Sequence, residues 1–154
     1  MGSKATDPTK RLGVYKRFND VPPEHRLESY HKQYEDQDIW GKFLIEVLFP
    51  KHNSYRTQQQ ARLAGRRWRT VMSDQGRHHA LARPVDVELW CTRLLEEVNL
   101  QTAYKTYWSK LERFYNWLLW HTDHPHRYNP MLMAAAEHES ASEVWQTKME
   151  DRSR

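Results

Sequence analysis

The residues with the plainest chemistry in this chain of 154 are arginines. Seven of them (Arg56, Arg62, Arg66, Arg67, Arg69, Arg77 and Arg83) fall within residues 55–83 against Asp74 alone, a net +6, which exceeds the +4 of the whole chain. The next stretch, 84–100, has the opposite balance, with Asp86, Glu88, Glu96 and Glu97 against Arg93. Positive charge gathered in one segment is the footprint of a phosphate-binding surface. Arginine suits that task because its planar fork grips a phosphate, or the O6/N7 edge of guanine, through two bonds. Gln59, Arg62, Arg66 and Arg69 recur at steps of three, four and three, so they share one side of a helix, with Arg56 a turn earlier. A solvated helix face is the alternative, but such faces usually mix signs, and no carboxylate stands between Lys51 and Ser73. The spacing leaves open whether these arginines read bases or hold only phosphates.

The histidines invite a metal reading, since His121, His124 and His126 are close in sequence, with His138 beyond. Zinc sites bring three or four ligands around one point, commonly with cysteine, and H-x2-H-x-H across a proline turn is too loose for that. No metal and no cofactor are expected. His78 and His79 read either as phosphate contacts beside the arginines or as plain surface. Cys91 has no base beside it and falls on an apolar helix face, so it reads as a core residue. No Walker loop, G-x-G-x-x-G, H-E-x-x-H or G-x-S-x-G string occurs.

Helices must position these groups. Gly and Pro are sparse and β-branched runs are absent, which predicts an all-α fold. Seven Trp, eight Tyr and four Phe can fill its core. Residues 1–35 read as a basic N-terminal extension, a loosely docked arm followed by a short helix, HRLESYHKQY. The strongest segments then follow in order. Ile39 to Pro50 is capped by Asp36 or Asp38. Ser54 to Ser73 carries the arginines, with Ala61, Ala64 and Gly65 small enough for close packing, and stops at Asp74-Gln75-Gly76. A third helix opens at Pro84 and runs to Val98. The fourth is the longest, with a wide apolar stripe through Tyr104, Tyr107, Trp108, Leu111, Phe114, Tyr115, Leu118 and Leu119. Thr102 is its expected N-cap, and Pro125 with Asn129-Pro130 its expected stop. Its polar face holds Lys105, Ser109 and Arg113. Residues 131–154 read as a helical tail: Met131 to Ala136, a polar break over 138–142, and a last short helix with Trp145. No apolar run reaches the ~20 residues a membrane helix needs, and no secretory signal precedes residue 20. The single cysteine fits a reducing cytoplasm.

The string T-x-x-x-Y-W-x-x-L-x-x-F-Y-x-W-L, closed by Asn129-Pro130, resembles the last helix of the core-binding domain of tyrosine recombinases, the phage-integrase family. Residues 36–130 supply four helices in that domain's order, with the basic one second. The resemblance implies a four-helix core bundle of the SAM-like type. It implies that the second and fourth helices clamp duplex DNA side by side, through Arg56, Gln59, Arg62, Arg66 and Arg69 on one and Lys105, Ser109 and Arg113 on the other. It also makes other recombinase subunits or a catalytic domain possible partners. The family cleaves DNA with a tyrosine assisted by arginines, a lysine and histidines in a separate catalytic domain. The residues after Pro130 leave no room for one, and His124-Pro-His-Arg127, which fits the family's H-x-x-R string, sits inside the binding module. The chain alone is therefore expected not to be an enzyme. A different class of function stays open: a helical protein-interaction module whose arginine face docks an acidic partner while Trp145 docks a neighbouring domain.

Overall fold

The computed structural model describes residues 6–153. The first residues of the expected arm, Lys4 among them, and Arg154 lie outside the described residues. Among the described residues every regular element is helical, so the fold is all-α. The helices are α1 (His31–Tyr34), α2 (Ile39–Phe43), α3 (Tyr55–Asp74), α4 (Pro84–Glu97), α5 (Leu100–Thr102), α6 (Ser109–Trp120), α7 (Pro130–Glu137) and α8 (Glu139–Arg152). Two π-helical turns join them without a break: Leu44–Leu48 prolongs α2, and Ala103–Trp108 fuses α5 to α6.

Local chemistry sets most of these limits. Ser54 Oγ accepts from Thr57 N at 3.2 Å and opens α3. Gly76, at φ 70°, closes it; Arg77 N donates to Met72 O and Gly76 N to Ser73 O, each at 2.9 Å, which satisfies two end carbonyls. Asp38 Oδ1 accepts from Gly41 N at the start of α2. The expected cap at Thr102 is not used. Asn99 takes that role three residues earlier, accepting from Thr102 N at 2.9 Å, and the helix passes through Thr102 without interruption. Its end also comes early: α6 stops at Trp120, before any proline acts. Asn129 is instead a start signal, accepting from Met131 N at 2.9 Å with Pro130 in the first turn of α7. The segment HRLESYHKQY is not one helix but 3-10 turns followed by the single turn α1.

The expected tail is core. In α7, Met131, Leu132, Met133, Ala134 and Ala135 are all buried, and the helix packs on α4, α6, α8 and the Pro8–Arg11 turn. The division at residue 130 between a bundle and an appended tail therefore runs through one shared interior. The polar break at 138–142 shrinks to His138, because Glu88 of α4 caps α8 from outside: its carboxylate accepts from Ser140 N and Ala141 N at 2.9 and 2.8 Å. The N-terminal arm docks too. Trp145 Nε1 donates to Thr6 O at 2.7 Å, Arg11 lies over the Trp145 ring, and Leu27 N donates to Tyr128 OH.

Aromatic side chains fill the interior and tie up backbone. Trp40, Trp68, Trp90, Trp108 and Trp145 are all buried. The loop from Arg77 to Arg83 is threaded among them rather than laid on the surface, so its polar groups need partners. His79 O accepts from Trp68 Nε1 at 2.7 Å and from Tyr115 OH at 2.8 Å; Ala82 N donates to that same Tyr115 oxygen at 3.1 Å.

The small face of α3 is used where the sequence placed it. Ala61, Ala64 and Gly65 are buried, and Trp40 of α2 lies against them with its Nε1 donating to Ala61 O at 3.2 Å. A methyl added at Gly65 would overlap the Trp40 indole. Gly65→Ala gains up to about 1 kcal/mol of helix propensity, but overpacking a filled interior costs about 1–3 kcal/mol. We expect a net loss of about 1 kcal/mol, read as a lower urea midpoint at unchanged m-value. A midpoint at or above that of the parent protein would mean that the indole yields freely.

Candidate nucleic-acid interface

The seven arginines of the basic segment divide by what they meet. Arg77 and Arg83 turn inward to Asp86, which is fully buried at the head of α4: Arg77 Nε lies 3.0 Å from one carboxylate oxygen and Arg83 Nη2 3.2 Å from the other. Gln75 Nε2 and Arg83 N also donate to that carboxylate, and Arg77 reaches Glu28 at 3.3 Å. These two arginines hold the loop and the first turn of α4. Arg67 pairs with Glu97 of α4 and lies over the Tyr107 ring, 5.4 Å from its centre. Arg69, one of the expected DNA contacts, is paired at 3.1 Å with Asp38, the residue that caps α2.

Arg56, Arg62 and Arg66 are exposed along the outer side of α3, and among the described residues no carboxylate pairs with any of them. Arg62 rests over the Phe49 ring at 5.1 Å, which orders its stem without neutralising it. Gln59 is exposed on the same side. The uncompensated row is therefore three arginines long. It starts just after the turn that carries Lys51 and His52, both exposed. From α4, Arg93 joins its far end, paired at 2.8 Å with Asp74.

The second expected half of the clamp lies elsewhere. Toward α3, the fused α5–α6 helix presents Tyr107, under Arg67, and Tyr115, whose ring stands 6.2 Å from that of Trp68. Lys105 and Arg113 are each two residues from one of those tyrosines, close to half a helical turn away. The adjoining flank belongs to α8, where Tyr104 OH donates to Asp151 at 2.9 Å and Glu112 meets Lys148. Lys105, Ser109 and Arg113 thus line the back of this helix as seen from α3. On α3, Arg66 is likewise two residues from the inward-facing Trp68. The two cationic stripes thus flank the aromatic contact between the helices rather than lining it. Ser109 is further committed to its own helix: its hydroxyl donates to Tyr104 O at 3.0 Å across the π turn. Lys105 and Arg113 are exposed.

Two of the histidines, His79 and His126, turn out to be interior polar groups. His79 is buried, and its Nε2 accepts from Trp40 N at 3.1 Å in the first turn of α2. It is therefore neither a phosphate contact nor a surface residue. Its neighbour His78 stacks on it at 4.1 Å and is bonded to Gln37 O and Ala80 N. His126 is buried with its Nε2 2.7 Å from Ala80 O. His124 Nδ1 lies 2.6 Å from Tyr34 OH. Burial pushes all four imidazoles below their ordinary value, to about 3 for His79 and about 4 for His126. Among the described residues, no three His, Cys, Asp or Glu side chains are arranged to hold a metal ion. Cys91 is buried, which raises its thiol well above the usual range. Trp145 is fully buried under Thr6 and Arg11, so it is not a free docking residue.

What the sequence could not show is which carboxylates come to the arginines. Asp38, Glu97 and Asp74 reach Arg69, Arg67 and Arg93 from 31, 30 and 19 residues away. Comparison of the chain with protein-family models, with curated proteins and with solved structures found no match. No helix of the described residues is long and apolar enough to cross a membrane.

Proposed function

We propose that this chain binds duplex DNA through the outer face of α3, as a helical module of the tyrosine-recombinase core-binding kind. The observation that carries the reading is the row Arg56, Arg62 and Arg66, three exposed guanidiniums on one helix side with no carboxylate of the described chain to neutralise them. A protein that leaves such a row unpaired gains nothing in stability from it. An anionic polymer whose charges repeat at short intervals would gain from it, by releasing condensed counterions. The helix is 20 residues long and held on its inner side by Trp40, Trp68 and Tyr107, stiff enough to enter a major groove as one piece. Arg69 lies at the rim of the face and would have to exchange Asp38 for a phosphate. In this form the proposal needs one helix, not the pair that the recombinase resemblance implied.

Salt dependence tests it. With three arginines engaged, log K should fall with log salt at a slope of about −2.7, by the rule of about 0.9 per phosphate neutralised. Arg62→Gln and Arg66→Gln should each flatten the slope by about one. Arg113→Gln, on the other stripe, should leave both slope and affinity unchanged. If Arg113→Gln weakens binding as much as Arg66→Gln does, α3 is not the interface. A flat slope would remove DNA as the ligand and favour the acidic-protein partner.

A further inference from the structure

We infer that the outer face of the fused α5–α6 helix binds single-stranded nucleic acid, with Trp120 as the platform on which an unpaired base stacks. Of the seven Trp residues, five are buried and Trp117 packs on Phe43 and Phe114. Trp120 stands out from the fold, 83% exposed at the last residue of α6, and among the described residues it has no ring, cation or hydrogen-bonding partner. An indole left in water adds nothing to the core it could have joined. Lys105, Ser109, Arg113, Asn116 and Trp120 recur at steps of four, four, three and four, so they share one side of the helix. Lys105 and Arg113 are exposed, with Lys110 beside them, and among the described residues no carboxylate pairs with any of the three. Lys110 Nζ donates to Thr106 O at 2.7 Å, and its ammonium is held below the ordinary lysine value by burial first and by the neighbouring Arg113 second. Three carboxylates bordering this face are engaged already. Asp151 accepts from Tyr104 OH, Glu112 meets Lys148, and Asp123 lies 3.9 Å from His121.

One partner has to answer two features: cations spread along roughly 20 Å of helix, and a flat aromatic ring at the end of that row. A single strand answers both, since its phosphates repeat along a flexible backbone and each unpaired base offers a π-face to the indole. In a duplex the bases stack on one another and show only their edges in the grooves, so the ring would be left without a role. An acidic peptide would meet the cations but not the ring. A membrane surface would need an apolar face, whereas Trp120 shares its side with Lys, Ser, Arg and Asn. This site does not rest on the duplex reading of α3, which uses other residues.

Fluorescence anisotropy of a labelled oligothymidylate of about twelve nucleotides, titrated with the intact protein, measures the binding. With three cations engaged, log K should fall against log salt at a slope of about −2.1, from about 0.7 per phosphate on a single strand. Trp120→Ala should weaken the strand about tenfold at an unchanged melting temperature, because the side chain packs on nothing. Trp120→Phe should recover most of that loss. Arg113→Gln should flatten the slope by about 0.7, while Arg62→Gln should leave strand affinity unchanged. Strand binding that persists where duplex binding is absent supports this site and ends only the α3 reading. A strand affinity untouched by Trp120→Ala overturns the proposal. So do equal losses from Arg62→Gln and Arg113→Gln, which would put the strand on α3. Binding of polyglutamate or of anionic phospholipid vesicles that falls as steeply with Trp120→Ala would overturn it too, and give the face to that partner.

Discussion

Acidification from pH 7 to pH 4 is expected to remove on the order of 5 kcal/mol of folding stability, about as much as a domain of this size can lose before it unfolds. The cause is a pair of neutral, buried imidazoles. His79 is held at about 3 by burial first and then by the nearby His78 and Arg69. Its Nε2 must keep a lone pair to accept Trp40 N, and the start of α2 above it repels a further proton. His126 is held at about 4 by burial, then by His124 and His78, against the Ala80 carbonyl that favours a proton. Its Nδ1 is buried with no partner, so a proton added there would meet no acceptor. Tyr34, at the centre of these rings, is itself pushed up to about 12 by burial and offers no negative charge. In the unfolded chain both histidines take a proton near the ordinary imidazole value of 6.5. Below that pH the unfolded state binds more protons than the folded one. The stabilising contribution is thus complete above pH 6.5 and drains away as the pH falls toward 4. Urea titrations followed by tryptophan fluorescence at pH 7, 5.5 and 4.5 measure it. His126→Gln should flatten the dependence at some cost in stability at pH 7. Stability that is level between pH 6.5 and 4.5 would show that these imidazoles reach water when charged.

Removing the ammonium of Lys148 should cost about 3–5 kcal/mol. Lys148 Nζ lies 2.8 Å from Glu112 Oε1, and the same oxygen accepts from Trp108 Nε1 at 2.9 Å. Both charged residues are 7% exposed. Lys148→Met keeps the stem and leaves the Glu112 carboxylate buried with one neutral donor. Arg11, which feels the Glu112 charge from the neighbouring turn, softens the loss toward the lower figure. Glu112→Leu on the Lys148→Met background should recover most of the stability, because an apolar pair of similar volume has no charge to desolvate. Chemical denaturation of the two single variants and the double variant gives the coupling. If Lys148→Met costs less than about 1 kcal/mol, the pair behaves as a surface one.

Legibility from the sequence followed the range of the interactions. Helix α3 and helix α4 were expected within a residue of their observed limits, because Ser54, Gly76 and Pro84 are local signals and the apolar period is strong. The fourth helix was expected as one rod from a cap at Thr102 to a stop at Pro125 and Asn129-Pro130; it is one rod, but it runs from Leu100 to Trp120, capped by Asn99, as good a capping residue as threonine. The start of α8 was hidden because its cap, Glu88, comes from another helix. The candidate site shows the same limit. Period alone put Arg62 and Arg66 on one side of α3, and Lys105 and Arg113 on one side of theirs. How far each helix is turned about its own axis depends on Tyr107, Tyr115 and Trp68 meeting between them. No spacing within either segment encodes that rotation. Nor did the histidine run disclose that its members serve as neutral partners for the Ala80 carbonyl and the Tyr34 hydroxyl.

Burying α7 has a consequence for biosynthesis. A ribosome extrudes residues 36–130 before α7 exists, so the emerging α4 shows the side that later packs on α7 and α8 to the cell with nothing to cover it. The last two helices then arrive as a lid on a half-built interior, and the N-terminal turn at Pro8–Arg11 closes over them afterwards. A nascent chain stalled near residue 130 would be a sticky species, a natural client for chaperones until residues 131–152 have emerged.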